Sequence, residues 1–217
     1  MKDAHLQLAN RWIRLNNIAP SLKNLFREYS GDHLLGYVYI DHTAGITLDI
    51  IKLFDIVNDE MIFQRSPLDD DIRAICRFSD FINAGEILIL SDEMVASFNL
   101  NYPEKIISAY EQPHLEAFRT SEVFHPFRAE GFPDDIQMLL PSRGNLAAEL
   151  IWARVEGYEN EVLMCQLLNQ PHQNFGISIN NVIPASLQTY DNEQYVIAHL
   201  PIASTPSQSS KKWWKFW

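Results

Sequence analysis

The last third of the chain contains runs with the residue pattern of β-strands, and these runs constrain the fold more than any other feature. They are Glu149–Glu156, Glu161–Asn169 and Gln194–Leu200. In the first run Ile151, Ala153 and Val155 face one side of a strand, and the residues between them face the other. The second run is almost continuously apolar, which is typical of a strand covered on both faces. The pattern predicts a small antiparallel β-domain.

The connections between these runs also favour a sheet. The segment Gly157–Asn160 supplies glycine and asparagine, which tolerate the positive φ that short hairpin loops need. The second run ends at Asn169-Gln170-Pro171, because proline removes a ladder donor and restricts the residue before it. We therefore predict that the first two runs form a hairpin.

Three motifs lie in the same region: Trp152-x-Arg154-Val155-x-Gly157, Leu167-Leu168-Asn169-x-Pro171 and Asn180-Asn181-Val182. Together they resemble a group of small bacterial β-domains of unknown function, in which a Leu-Leu-Asn-x-Pro strand end precedes a Gly-Asp-x-Val turn. Asn180-Asn181 replaces the usual Gly-Asp, and asparagine tolerates the left-handed region of such a turn. The resemblance covers roughly the last third of the chain. It implies a fold more than an activity, although some similar families occur near bacterial toxin–immunity loci.

The N-terminal part is predicted to combine helices with a mixed sheet. A helical stripe predicts a first helix from about Asp3 to Asn16, and a second short helix begins at Pro20. Another helix is predicted within Pro67–Asn83, with Ser66 as its cap. The strand candidates are Leu35–Ile40, Ile46–Val57, Met61–Gln64 and Glu86–Leu90. The predicted fold class is therefore α+β, with N-terminal helices and a mixed sheet before the antiparallel β-domain.

A proline-rich crossing, Glu111–Asp135, separates the two parts. Long segments without regular structure tend to be functional or to link domains, so we place the boundary near residue 120. This predicts an N-terminal α+β domain over residues 1–120 and a C-terminal antiparallel β-domain over residues 121–203. Residues 204–217 form a polar spacer with a Lys/Trp-rich tail.

Charge and composition narrow the function classes. The 217 residues include 17 Lys and Arg against 28 Asp and Glu, which gives a net charge of −11. Such a surface is unsuited to nucleic acid, because phosphates are bound by clustered basic residues. It suits solubility, or a cationic protein partner drawn in by long-range attraction. Without an apolar leader or a run of about 20 apolar residues, the chain is predicted to be cytoplasmic.

The best catalytic candidates lie on the proline-rich crossing. His125 can act as a base, with Asp134 or Glu130 as its orienting carboxylate and Arg128 nearby. The alternative is that Arg128, Glu130 and the acidic pair form ion pairs that fix the crossing to the sheet. No serine or cysteine stands in a recognisable nucleophile setting.

We predict no metal and no cofactor. The three carboxylates of Asp69–Asp71 are consecutive, so they do not converge on one cation and are typical of a solvated helix start. The histidines lack zinc-site spacing and the glycines never cluster into a phosphate loop. Cys76 and Cys165 are interpreted as buried small hydrophobic residues.

The tail has the most unusual local composition in the chain. Its residues are Lys211, Lys212, Trp213, Trp214, Lys215, Phe216 and Trp217. Tryptophan favours the membrane interface, and each lysine contributes about 1 kcal/mol near anionic lipid. We predict weak, reversible membrane-surface contact or docking into a protein groove. The alternative is that the tail is an incidental apolar segment without a function.

Three functions follow from these features. The first is a non-enzymatic protein-binding protein that acts through its acidic surface, in its most concrete form an immunity-like protein against a bacterial toxin. The second is a hydrolase with a site near His125 and Asp134. The third is a peripheral membrane scaffold held by the tail.

Overall fold

The computed structural model of the chain describes residues 6–101, 108–190 and 192–200. Two β-sheets follow one another along the chain. The strands of the first sheet are β1 Arg11–Asn16, β2 His33–Asp41, β3 Gly45–Val57, β4 Glu60–Gln64, β5 Ala74–Arg77 and β6 Glu86–Ile89. They pair antiparallel in the order β4-β3-β2-β1-β6, and β5 pairs with β3 beyond the end of β4.

The second sheet closes into a barrel. Its strands are β7 Arg128–Ala129, β8 Phe132–Leu140, β9 Glu149–Glu159, β10 Val162–Leu167, β11 Val182–Tyr190 and β12 Glu193–Ala198. They pair in sequence order, and β12 returns to pair in parallel with β8, where Val196 lies opposite Met138. This pairing closes a five-stranded barrel, which removes the free edges that an open sheet would expose.

Only short helices connect the strands of the described chain. The α-helices are Pro20–Lys23, Phe78–Phe81, Asp92–Ser97 and Glu116–Arg119, and the 3₁₀ turns are Leu6–Leu8, Asn24–Phe26, Pro67–Asp70, Pro113–Leu115 and Glu122–Phe127. Across residues 6–101, 108–190 and 192–200, no helix is long and apolar enough to cross a membrane.

The predicted fold class is wrong, because the protein is mostly β. The segment predicted as a first helix contains β1, in which Ile13 and Leu15 are buried and Trp12, Arg14 and Asn16 are half-buried. That alternation has period two, and the pairing of β1 with β2 and β6 stabilises it as a strand. The helix predicted within Pro67–Asn83 stops at Asp71, which adopts φ +58°, and β5 follows it. The first sheet is also antiparallel rather than mixed.

The alternation predicted for β9 is present in the structure. Ile151, Ala153 and Val155 are buried inside the barrel, whereas the side chain of Trp152 lies outside and is 40% exposed. The hairpin to β10 turns at Asn160 and Glu161, both with positive φ, slightly later than the predicted loop.

The asparagine of the Leu-Leu-Asn-x-Pro motif has a structural contact. Its side-chain oxygen, on Asn169, accepts a hydrogen bond of 2.9 Å from the backbone N–H of Trp152. Asn180 adopts φ +68° and donates from its backbone N–H to the carbonyl oxygen of Leu167. These motif residues therefore stabilise the barrel.

The two cysteines are buried. Cys76 lies in the core of the first sheet and Cys165 in the core of the barrel. Burial raises the pKa of each thiol to about 12, so both remain neutral hydrophobic groups at physiological pH.

The tip of the β2–β3 hairpin is packed against the barrel. The backbone N–H of Ile46 donates to the carbonyl oxygen of Gly131 over 2.8 Å. Gly45 adopts φ +78°, and a Cβ atom on it would lie 2.2 Å from the same oxygen. Only glycine fits this close approach, which brings the hairpin tip and the start of β8 together.

Candidate functional site

His42 lies at the tip of the β2–β3 hairpin and bridges two carboxylates of the barrel. Its Nδ1 is 2.8 Å from Oδ2 of Asp134 on β8, and its Nε2 is 3.2 Å from Oε2 of Glu156 on β9. A carboxylate only accepts hydrogen bonds, so an imidazole donates to both of these partners only when it is protonated. The contacts therefore favour the imidazolium form of His42.

Asp134 is also bound by arginine. Its side chain is 1% exposed, and Arg119 reaches it with Nε at 2.8 Å from Oδ1 and Nη2 at 2.6 Å from Oδ2. The next residue, Asp135, is held by Arg154 through contacts of 2.7 Å and 3.1 Å. We call these residues the junction network: His42, Arg119, Asp134, Asp135, Arg154 and Glu156. In this network Arg119 and Arg154 each contact one carboxylate through two nitrogens. Such paired hydrogen bonds are charge-assisted and geometrically specific.

The pKa directions agree with this arrangement. The hydrogen bond to Asp134 raises the pKa of His42, burial opposes the shift and Glu156 adds to it. Burial acts to raise the pKa of Asp134, but hydrogen bonds from Arg119 and His42 outweigh it and lower that pKa. For Asp135, burial is the stronger effect and raises the pKa despite Arg154. Asp134 and His42 therefore stabilise each other's charged forms.

Of the predicted catalytic residues, the structure places only Asp134 in this network. The carboxylate of Asp134 is hydrogen-bonded to His42 on the β2–β3 hairpin and to Arg119 on the helix Glu116–Arg119. His125 is half-buried in the turn Glu122–Phe127, and Glu130 is exposed between β7 and β8. A catalytic role for these residues stays a prediction.

Arg128 positions the helix Glu116–Arg119, whereas the sequence suggested only that Arg128 helps to fix the proline-rich crossing to the sheet. It donates from Nη1 to the carbonyl oxygen of Arg119 over 2.9 Å and from Nη2 to that of Phe118 over 2.5 Å. Its guanidinium also lies 4.6 Å from the centre of the Phe118 ring. Arg128 thus fixes the helix that carries Arg119, through carbonyl groups and an aromatic ring.

A cleft of about 480 Å³, the junction cleft, opens beside this network. Its lining residues are Asn10, Tyr39, Ile40, Tyr110, Glu111, Gln112, Pro113, Glu116 and Arg119. The rings of Tyr39 and Tyr110 lie 4.6 Å apart, centre to centre. Arg73 donates to both hydroxyls, over 3.0 Å and 3.1 Å, and therefore fixes the two rings in place.

The junction cleft has an excess of negative charge. The cation nearest its aromatic wall, Arg73, is paired with Asp49 at 2.6 Å, and Arg119 is paired with Asp134. Glu111 and Glu116 lie on the cleft and are exposed. The guanidinium of Arg73 already lies 5.5 Å and 5.3 Å from the centres of the Tyr39 and Tyr110 rings. The exposed carboxylates are therefore the groups that attract a cationic group, such as an ammonium or a guanidinium.

The tail residues predicted to bind a membrane or a partner lie outside the described residues, so their role stays a prediction. Within the described ranges, no three His, Cys, Asp or Glu side chains are grouped so as to hold a metal ion. Comparison with protein families, curated proteins and solved structures finds no match to this chain. The resemblance of its last third to small bacterial β-domains stays a prediction.

The His42 contacts predict a specific pH dependence of stability. The pKa of His42 is raised in the folded protein above its ordinary value of 6.5. The stabilisation that protonated His42 gives the folded protein is therefore complete below the pKa of His42 in the unfolded state. It is lost as pH rises through the pKa of His42 in the folded state. We expect the stability advantage of the wild type over His42→Gln to be largest near pH 5.5 and to shrink towards about pH 9. Urea unfolding of both proteins across this range measures it, and an advantage that grows with pH contradicts the assignment.

Proposed function

We propose that the chain is a non-enzymatic protein-binding protein that recognises a cationic partner at the junction cleft, as an immunity protein recognises a toxin. The observation that carries the proposal is the pair of exposed carboxylates, Glu111 and Glu116, on the wall of the junction cleft. The net charge of −11 supports it, because such a surface accelerates encounter with a basic protein. The proposal places the protein in the cytoplasm, as the sequence predicts.

The junction network favours binding over catalysis. A general base needs an unprotonated nitrogen directed at its substrate. Both nitrogens of His42 instead contact carboxylates, and both oxygens of Asp134 contact Arg119. These contacts support an interpretation in which the charges hold the hairpin against the barrel and shape the wall of the cleft.

The test is to capture a partner protein from the native host and then to measure its dissociation constant for this chain. A Glu111→Gln/Glu116→Gln double variant is expected to bind that partner about 10-fold to 100-fold more weakly than the wild type. We expect this loss of affinity because the double variant removes the two carboxylates that contact the cationic group of the partner. Calorimetry or surface-based kinetics with the purified partner gives the dissociation constants.

The matched control is Glu60→Gln/Glu86→Gln, which removes the same charge from exposed positions on β4 and β6. This control is expected to change the affinity less than about threefold, because distant exposed charges are screened by salt. The absence of a saturable partner, or equal losses in the two double variants, would contradict the proposed function.

A further inference from the structure

β4 is an edge strand of the first sheet. Among the described strands it pairs with β3 alone, along its whole length and without a register shift. The strand contains no lysine, proline or bulge, features that protect many open edges from pairing with another chain. A further strand can therefore extend the first sheet at β4.

The backbone groups of Met61 and Phe63 point away from β3. A loop of two residues joins the two strands, and Val57 lies opposite Glu60 across it. In such a hairpin the residues that flank the loop exchange hydrogen bonds, and every second residue along the strand repeats this pattern. The even-numbered residues of β4 thus bond to β3, whereas the N–H and C=O groups of Met61 and Phe63 lie on the open edge.

A contact at the end of β4 agrees with this orientation. The hydroxyl of Ser66 donates to the carbonyl oxygen of Gln64 over 3.2 Å. The same hydroxyl accepts from the backbone N–H of Leu53, on β3, over 2.7 Å. The carbonyl group of Gln64 is therefore directed at β3 and not at the open edge.

The edge is complementary to a second copy of itself. In an antiparallel register centred on Ile62, that residue lies opposite its own equivalent, and Met61 of each copy lies opposite Phe63 of the other. The same register places Asp59, just before the strand, opposite Arg65, just after it. Ile62 and Phe63 are 43% and 46% exposed, so the pairing covers apolar side chains that the single chain leaves in water.

The charges at the two ends of the edge favour this antiparallel arrangement. Asp59 and Arg65 are both exposed, and opposite charges across a strand pair stabilise it, whereas like charges destabilise it. A parallel copy would place acid beside acid and base beside base. Arg65 also contacts Asp70 of its own chain, but its side chain is 73% exposed. Solvent screens such a pair, so the guanidinium stays accessible to a second copy.

We infer that two copies of the chain pair antiparallel through β4, about a two-fold axis at Ile62, so that their first sheets form one continuous sheet. Met61 of each copy exchanges backbone hydrogen bonds with Phe63 of the other. The contact uses the same surface on both copies, so it closes as a dimer. The inference goes beyond the proposed function, because neither Glu111 nor Glu116 takes part in the contact.

The variant Ile62→Cys tests the register. Residues opposite each other at a non-hydrogen-bonded site have Cα atoms about 4.5 Å apart, which suits a disulfide. We expect this variant to form a covalent dimer under mild oxidation. Its control is Leu88→Cys on the other edge strand, β6, where the leucine is 44% exposed. We expect the control to cross-link at least about tenfold less. Cys76 and Cys165 are buried and do not interfere. Equal cross-linking of the two variants, or none in Ile62→Cys, would overturn the inference.

The variants Ile62→Lys and Ile62→Glu test the pairing without a covalent bond. Each places like charges across the two-fold axis and removes an apolar contact, so each alone is expected to raise the dissociation constant of the dimer at least about tenfold. An equimolar mixture of the two is expected to recover the dimer, because lysine then lies opposite glutamate. Sedimentation equilibrium measures the association, and circular dichroism checks that both variants are folded. A wild type that stays monomeric up to about 1 mM, or a mixture that does not recover the dimer, would overturn the inference.

Discussion

Replacing Asp134 by asparagine is expected to destabilise the protein by about 3–5 kcal/mol, because it leaves two cations at the junction without their shared carboxylate. The side chains of Arg119 and His42 are only 9% and 18% exposed, so water replaces little of the lost interaction. The asparagine keeps the size of the side chain and accepts fewer charge-assisted hydrogen bonds. Urea unfolding near pH 5.5, below the ordinary imidazole pKa of 6.5 that the contact with Asp134 raises, measures the change in the free energy of unfolding.

The matched control is Asp32→Asn, which removes a carboxylate paired with Lys23. That aspartate side chain is 67% exposed, so the pair is screened by solvent. We expect a loss of less than about 1 kcal/mol. If Asp134→Asn costs as little as the control, the junction network does not hold the hairpin against the barrel.

The second large effect is expected from Gly45→Ala, which should destabilise the protein by about 2–5 kcal/mol. About 1–2 kcal/mol comes from placing alanine at φ +78°, and the rest from crowding. The added Cβ would lie 2.2 Å from the carbonyl oxygen of Gly131, a backbone atom that cannot rotate away. The hydrogen bond from Ile46 to the same oxygen would lengthen as the hairpin tip moves. Thermal and urea unfolding measure the loss.

The variant Gly176→Ala distinguishes the cost of backbone strain at positive φ from the cost of crowding. Gly176 adopts φ +77°, nearly the same as Gly45, but a Cβ there would meet no atom within 4 Å. Its substitution is expected to cost only the backbone strain of about 1–2 kcal/mol. Equal losses in the two variants would show that the close approach between Gly45 and Gly131 does not contribute.

Local patterns predicted the strands β9, β10 and β12 but not the closed barrel, and β10, predicted to be covered on both faces, has Met164 41% exposed. The residues at 151, 153 and 155 alternate with polar or exposed neighbours, and that alternation survives in β9 because one face is inside the barrel. The asparagines at the turns have the positive φ that their side chains tolerate. In such strands the local preference and the tertiary packing agree.

The first part of the chain was harder to predict because its patterns are ambiguous. Residues 11–16 fit a helical stripe as well as a strand, and pairing with β2 and β6, distant in sequence, decides between them. The site was harder still. His42 and Asp134 are 92 residues apart, and nothing in the sequence near either one shows that the hairpin tip reaches β8. The triad His42, Asp134 and Arg119 therefore could not be inferred from spacing.

The most direct test of cation recognition at the junction cleft is a titration with the blocked tripeptide glycine-arginine-glycine, followed by NMR. Its control is the same peptide with citrulline, which is nearly isosteric with arginine but uncharged. We predict saturable shifts at Tyr110, Glu111 and Glu116 with the arginine peptide and none with the citrulline peptide, since attraction to the exposed carboxylates requires the positive charge. Shifts of equal size with both peptides, or no shifts at the cleft with the arginine peptide, would contradict the account.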